Sequence, residues 1–136
     1  MYVGHCYCGA SRVKINCEPV AVGLCHCLDC RKVSGSTNAL NWFIPSEQMT
    51  ASGPLKTFSK TLNHGNDIVN TFCSDCGTTL FREGQAMPGT RFLKAGILDD
   101  PTCLNAFKPQ GEIFVSRRVN WLSPVPGASQ KQELFA

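Results

Sequence analysis

Short runs with period-two alternation dominate the chain. Residues 10–15 place Val13 and Ile15 on one face and Arg12 and Lys14 on the other, the pattern of a half-buried strand. Residues 20–24 are a short apolar run. Leu40, Trp42 and Ile44 recur at period two within residues 37–44, closed by Pro45. Residues 67–72 are rich in β-branched side chains (Ile68, Val69, Thr71). Residues 55–58, 78–81, 92–95 and 112–115 complete the predicted strands. Helical expectation is confined to one turn over residues 28–33 and another over 45–49, with Ser46 as cap. No segment of useful length carries an apolar stripe at helical period. Twelve glycines and eight prolines are scattered between the strands, as punctuation of a fold of short strands. The expectation is an all-β domain with little helix.

At 136 residues the chain is expected to form a single domain, 1–136. Its tail, residues 123–136, is rich in Pro, Ser, Gly and Gln and is expected to be loosely attached. A net charge of +3 gives no basic stripe, so no nucleic-acid partner is expected. No apolar run is long enough to span a bilayer, so no membrane is expected either. The N-terminus shows no secretory pattern, and a cytoplasmic protein is expected.

The cysteines change the picture. There are nine, and in a reducing compartment clustered cysteines read as metal or catalytic sites. Cys6 and Cys8 form C-x-C, Cys25, Cys27 and Cys30 form C-x-C-x-x-C, and Cys73 and Cys76 form C-x-x-C. Sulfur-rich sites suit Zn²⁺. Cys6, Cys8, Cys73 and Cys76 look like two halves of one tetrahedral structural site. Each pair is followed by a glycine (Gly9, Gly77) that permits a tight turn. The middle cluster offers three thiolates, which is the pattern of a catalytic zinc with one open position. The alternative is closure by a distant residue, with Cys17, Cys103, His5, His26 and His64 as candidates. Two zinc ions per chain are expected.

The motifs Cys6-Tyr-Cys-Gly9, Cys25-His-Cys-Leu-Asp-Cys-Arg-Lys-Val-Ser-Gly35 and Phe72-Cys-Ser-Asp-Cys-Gly-Thr-Thr-Leu-Phe81 occur in that order. They are followed by Gly96-Ile-Leu-Asp-Asp-Pro101 and Glu112-Ile-Phe-Val-Ser-Arg-Arg-Val-Asn-Trp121. Together they resemble the glutathione-dependent formaldehyde-activating enzyme family, which also contains centromere protein V. The resemblance runs from Gly4 to about Trp121. It implies a β-tent fold with two zinc ions, the structural one on Cys6, Cys8, Cys73 and Cys76 and the catalytic one on Cys25, Cys27 and Cys30. It also implies a carbon–sulfur lyase, in which glutathione adds to formaldehyde to give S-hydroxymethylglutathione. The partners would then be a small-molecule thiol and an electrophile.

Three anionic sulfurs weaken zinc as a Lewis acid, so thiolate delivery is the better-motivated role than carbonyl activation. Two other readings remain open: a glutathione-dependent enzyme of a larger metabolite, and a non-catalytic zinc module binding a protein. Arg31 and Lys32 are candidates for holding glutathione carboxylates, or for shielding the thiolates, or are solvated charges at a turn. Ser34 and Gly35 read as a turn. His26 reads as a residue beside the metal loop or on the surface, and His64 as a candidate proton shuttle in a hairpin loop. Cys17 and Cys103 read as apolar core, and Asp99-Asp100-Pro101 as a turn. Trp42 and Phe43 are each read as either core or pocket wall. Phe72, Phe81, Phe92 and Phe114 are expected mostly in the core.

Overall fold

The computed structural model describes residues 1–63 and 65–133. Most strands fall where the alternation puts them. β1 (Tyr2–His5), β2 (Arg12–Ile15) and β5 (Met49–Ser52) form a three-stranded antiparallel sheet in the order β1-β2-β5. The second sheet has eight strands: β3 (Ala21–Cys25), β4 (Ala39–Pro45), β6 (Leu55–Thr61), β7 (Asp67–Cys73), β8 (Thr79–Gly84), β9 (Thr90–Lys94), β10 (Gly111–Ile113) and β11 (Ser129–Gln130). Their order is β11-β10-β3-β4-β9-β8-β7-β6, antiparallel except that β10 lies parallel to both neighbours. Among the described residues helix is limited to α1 (Leu28–Ser34), α2 (Cys103–Ala106) and three short 3₁₀ turns. The class is all-β.

The core lies against one face of the large sheet. Trp42 and Ile44 of β4 and Leu93 of β9 are buried there with Val13, Ile15 and Met49 of the small sheet. Trp42 packs edge-on against Tyr2 and Phe107, with ring centroids 5.2 and 5.1 Å away. Such offset geometry keeps ring edges on ring faces. Cys103 packs in this core and Cys17 against it, as expected of unclustered thiols.

Because successive side chains alternate, the residues between these core positions project from the opposite face of the large sheet. One cross-strand row there reads Phe58, Asn70, Arg82, Phe92, Phe43, Ala21 across β6, β7, β8, β9, β4 and β3. Asn41 and Lys94 form the next pair on that face. This second face builds the cleft described below. It also corrects the expectation for the aromatic residues: Phe43, Phe72, Phe92 and Phe114 are only half-buried, whereas Trp42 and Phe81 are core.

Backbone hydrogen bonds tie the tail to the large sheet as far as Lys131. β11 extends the large sheet, the Lys131 N–H donates to the Glu112 carbonyl at 2.9 Å, and the Val115 N–H donates to the Lys131 carbonyl at 3.1 Å. Composition points to a loose tail because it carries little apolar content. Backbone pairing and one buried carboxylate, Glu112, hold it instead.

Candidate functional site

The first cluster is assembled by two turns. Cys6 and Cys8 follow β1, and Cys73 and Cys76 span the end of β7 and the turn into β8. Gly9 and Gly77 adopt φ of 84° and 81°, and their N–H groups donate to the carbonyls of Cys6 and Cys73 at 3.0 and 2.8 Å. No side chain crowds either glycine, so it is backbone conformation that calls for glycine at both places. The four Sγ atoms lie within 4.8 Å of one another. Cys6 and Cys8 are 3.5 Å apart, and Cys8 and Cys73 3.9 Å. A tetrahedral zinc with Zn–S bonds of 2.3 Å separates its sulfurs by about 3.8 Å, so this donor set fits the ion. The Ser11 N–H donates to Cys6 Sγ at 3.2 Å, and Thr78 Oγ1 lies 3.2 Å from Cys76 Sγ. The Thr78 hydroxyl and backbone, with the Cys8 backbone, hold the Cys76 thiol down at about 5. Tyr7 N–H donates to Thr78 Oγ1 at 3.1 Å, which ties the two turns together.

The second cluster sits at the start of α1. Cys25 ends β3, Cys27 is the N-cap residue of α1, and Cys30 lies one turn on. Cys27 Sγ accepts from the Cys30 N–H at 3.2 Å. Gly35, with φ of 64°, closes the helix by donating to the Arg31 carbonyl. The three Sγ atoms again lie within 4.8 Å of one another. Among the described residues no fourth Cys, His, Asp or Glu joins them. Cys17 and Cys103 pack with the core instead. The Nδ1 of His5 pairs with Asp99 at 2.7 Å, and His64 lies outside the described residues. Contacts with Cys25 and Cys30 lower the Cys27 thiol, while the contact with Cys27 raises the Cys25 thiol. One negative charge is thus shared readily by the three sulfurs.

His26, between two of these cysteines, is a buried anchor rather than a surface residue. Its Nε2 lies 2.7 Å from Glu112 Oε1, and both side chains are 1% exposed. Glu112 also accepts from Gln130 Nε2 at 2.7 Å and from the Val125 N–H at 2.8 Å. Burial alone would raise the Glu112 carboxyl, but these donors, with Arg118 3.4 Å away, hold it at about 2. The metal loop, β10 and the tail therefore meet on one carboxylate. In the sequence Glu112 is marked only as the first residue of the Glu-Ile-Phe-Val stretch, an acid at the head of an expected strand.

The three-cysteine cluster opens into a cleft of about 520 Å³. Phe43, Phe92, Ile113 and Phe114 form apolar wall, and Phe43 packs edge-on against Phe92 at 5.0 Å. Phe114 is the one non-glycine described residue with positive φ, 53°, which turns the chain beside the cleft. Lys60 and Arg117 also line the cleft, as do Asp29 and Glu133. Arg82 lines it too and is 6% exposed, with Nη1 3.5 Å from Cys30 Sγ. Lys94 donates to Asn41 Oδ1 at 2.9 Å, and its pKa is lowered by burial although the nearby cysteine thiols oppose that shift.

Arg31 and Lys32 are not among the cleft-lining residues. The cations of the cleft are Lys60, Arg82 and Arg117. Their sequence signal is faint. Arg82 follows the apolar pair Leu80-Phe81 and precedes Glu83, on the parity opposite to Phe81.

A family model for the glutathione-dependent formaldehyde-activating enzyme matches residues 1–117. The chain belongs to that family. A glutathione-dependent, formaldehyde-activating type of function follows from membership. No curated protein matches the chain. Among solved structures, a crystal structure of a Rhodobacter sphaeroides protein shares 17% identity, covering 79% of this chain and 96% of its own, with a TM-score of 0.61. That likeness extends to the fold. No helix among the described residues of this family member is long and apolar enough to cross a membrane.

Proposed function

We propose that this family member is a cytoplasmic, zinc-dependent carbon–sulfur lyase or transferase, a single domain over residues 1–136 that joins glutathione to an aldehyde or related electrophile. The observation that carries the reading is the three-cysteine cluster open to a cleft, with no fourth ligand among the described residues. Cys6, Cys8, Cys73 and Cys76 hold a structural zinc, and Cys25, Cys27 and Cys30 a catalytic one. Zinc at the second site supplies an open position at which a thiol is favoured as its thiolate. The chain's own residues do the remaining work. Arg82 and Lys94 offset the negative charge of the sulfurs. His26, clamped by Glu112, fixes the loop between Cys25 and Cys27. Arg117, and Lys60 on exchanging its 2.8 Å bridge to Asp29, suit the two carboxylates of glutathione, while Glu133 suits its ammonium group.

A cleft beside an open three-ligand site favours an enzyme over a binding module. The test is cobalt-substituted protein titrated with glutathione and with S-methylglutathione. Sulfur-to-metal charge-transfer absorption is expected to rise with glutathione alone. No spectral change at saturation, with the metal still bound, would remove the thiol from this site.

A further inference from the structure

One strained residue of the cleft is unused by the chemistry proposed above. Phe114 sits at φ 53° and ψ 43°, whereas the other seven described residues with positive φ are all glycines. This left-handed region crowds Cβ against the following carbonyl, and a bulky side chain there is costly. The backbone on both sides enforces it. The Ile113 carbonyl accepts from the His26 N–H at 3.1 Å, and the Val115 N–H donates to the Lys131 carbonyl at 3.1 Å. The Phe114 carbonyl itself accepts from the Arg117 N–H at 3.0 Å. Glycine or asparagine would meet the same backbone at lower cost. The ring therefore supplies something that the turn does not require, and strain of this kind gathers where ligands are held.

The surroundings of the ring say what that is. Phe114 packs against the group formed by Cys25, Cys30 and Ala39, beside the open three-cysteine site, and it also lines the cleft. It is only half-buried, so part of the ring remains free for a ligand. The edge-on pair Phe43 and Phe92, also half-buried, lines the same cleft of about 520 Å³. The charged lining residues Lys60, Arg82, Arg117, Asp29 and Glu133 suit polar groups of a ligand or the metal site, and the rings do not. Formaldehyde has no apolar body to offer them, and glutathione is polar along most of its length. Clefts of roughly 300–1,000 Å³ take ligands of many heavy atoms, so there is room for a larger second substrate.

We propose that Phe114 is a specificity-determining residue: with Phe43 and Phe92 it selects an electrophile that carries an aryl or branched-alkyl body beside its reacting carbon. The proposal rests on the thiol-addition reading for the reaction and adds the shape of the second substrate. Rings in offset or edge contact with an aryl body favour it beyond the area they bury. Because the backbone fixes Phe114, little freedom of this residue is lost when the body arrives.

The test uses benzyl alcohol and ethanol, which share a hydroxyl and differ in body, titrated into the zinc-loaded full chain and followed by NMR. Neither alcohol needs a thiol, so the outcome does not depend on glutathione. Benzyl alcohol is expected to bind at least ~10-fold more tightly than ethanol and to shift the ring resonances of Phe114, Phe43 and Phe92 together. Phe114→Tyr, which keeps the ring, is expected to bind benzyl alcohol as wild type does. Phe114→Asn is expected to bind it about fivefold more weakly. Its zinc content should be unchanged and its denaturant midpoint no lower than wild type, because asparagine tolerates the left-handed backbone. Equal binding of the two alcohols, or Phe114 resonances unmoved at saturation, would overturn the proposal on the wild-type chain alone, whatever the variants do. So would a Phe114→Asn variant that keeps its affinity for benzyl alcohol and loses stability, since the ring would then serve packing only. Glutathione binding, read separately on cobalt-substituted protein, distinguishes the failures. A cobalt spectrum unmoved by glutathione, with benzyl alcohol still preferred, would remove the thiol and keep the apolar subsite.

Discussion

At the scale of single residues, close approach at the first cluster makes a sharp demand. Gly53, in the turn between β5 and β6, has φ of 100°, and a Cβ there would lie 2.3 Å from the Ala10 carbonyl oxygen. Ala10 belongs to the turn that follows Cys8 and Gly9, so relieving the clash moves the loop that presents two thiolates. Gly53→Ala is expected to destabilise the protein by roughly 2–3 kcal/mol, from positive φ and steric overlap together. Gly96 supplies the contrast. It has no positive φ, and a Cβ there meets nothing within 4 Å. Gly96→Ala is expected to stay within about 0.5 kcal/mol of wild type. Denaturant midpoints of the two variants check both statements, and equal midpoints would show that the loop yields freely. Neither effect is visible in the sequence, where both positions are simply glycines. It takes the backbone of a distant turn to tell them apart.

At the scale of elements, β10 and the tail hinge on Glu112. Its folded pKa of about 2 lies below the ordinary 4.5, so its contribution is fully present above about pH 4.5 and lost as the pH falls toward 2. Glu112→Gln keeps the shape and loses the charge, and is expected to cost about 2 kcal/mol at neutral pH. The gap between wild type and variant should close on acidification, because protonation then makes the two side chains alike. Unfolding curves across that range check it, and a gap that widens toward acid would reverse the assigned sign. This carboxylate also explains where the sequence reading stopped. The strands holding Val13 and Trp42 are legible because alternation is a local property, and that of Ile68 because β-branched content is one too. β1, β5, α2 and β11 are not, since each spans four residues or fewer. Likewise the seven clustered cysteines and their division into four and three could be read from spacing. Arg82, Lys94 and Lys60 could not, because only strand register brings them to one face. Arg31 and Lys32 stand out in the sequence by adjacency to Cys30, yet neither lines the cleft.

At the scale of the whole molecule, the two clusters sit at different mechanical positions, and their loss should have different consequences. The first joins the turn after β1, in the small sheet, to the β7–β8 turn of the large sheet, across 65 residues between Cys8 and Cys73. The core lies between residues of these same two sheets, so a metal held there opposes their separation. Binding free energy at such a site appears as folding free energy. The second cluster draws its ligands from β3, the N-cap of α1 and one further turn of that helix, all within six residues, and His26–Glu112 already anchors the same loop. It closes only a short loop, so the fold gains little from its metal. Metal analysis of protein purified without chelator is expected to give two equivalents of zinc per chain. Cys27→Ser should retain one equivalent, remain folded with a transition close to wild type, and lose activity. Cys76→Ser should unfold or aggregate, since one missing thiolate uncouples the sheets and leaves three sulfurs, two of them buried, poorly paired. Stepwise chelation should show the same order, with the cleft metal leaving first and circular dichroism unchanged until the second departs. If Cys27→Ser melts with the Cys76→Ser variant, or if both metals leave in one step with loss of structure, both sites are structural and the open cleft must find its chemistry elsewhere.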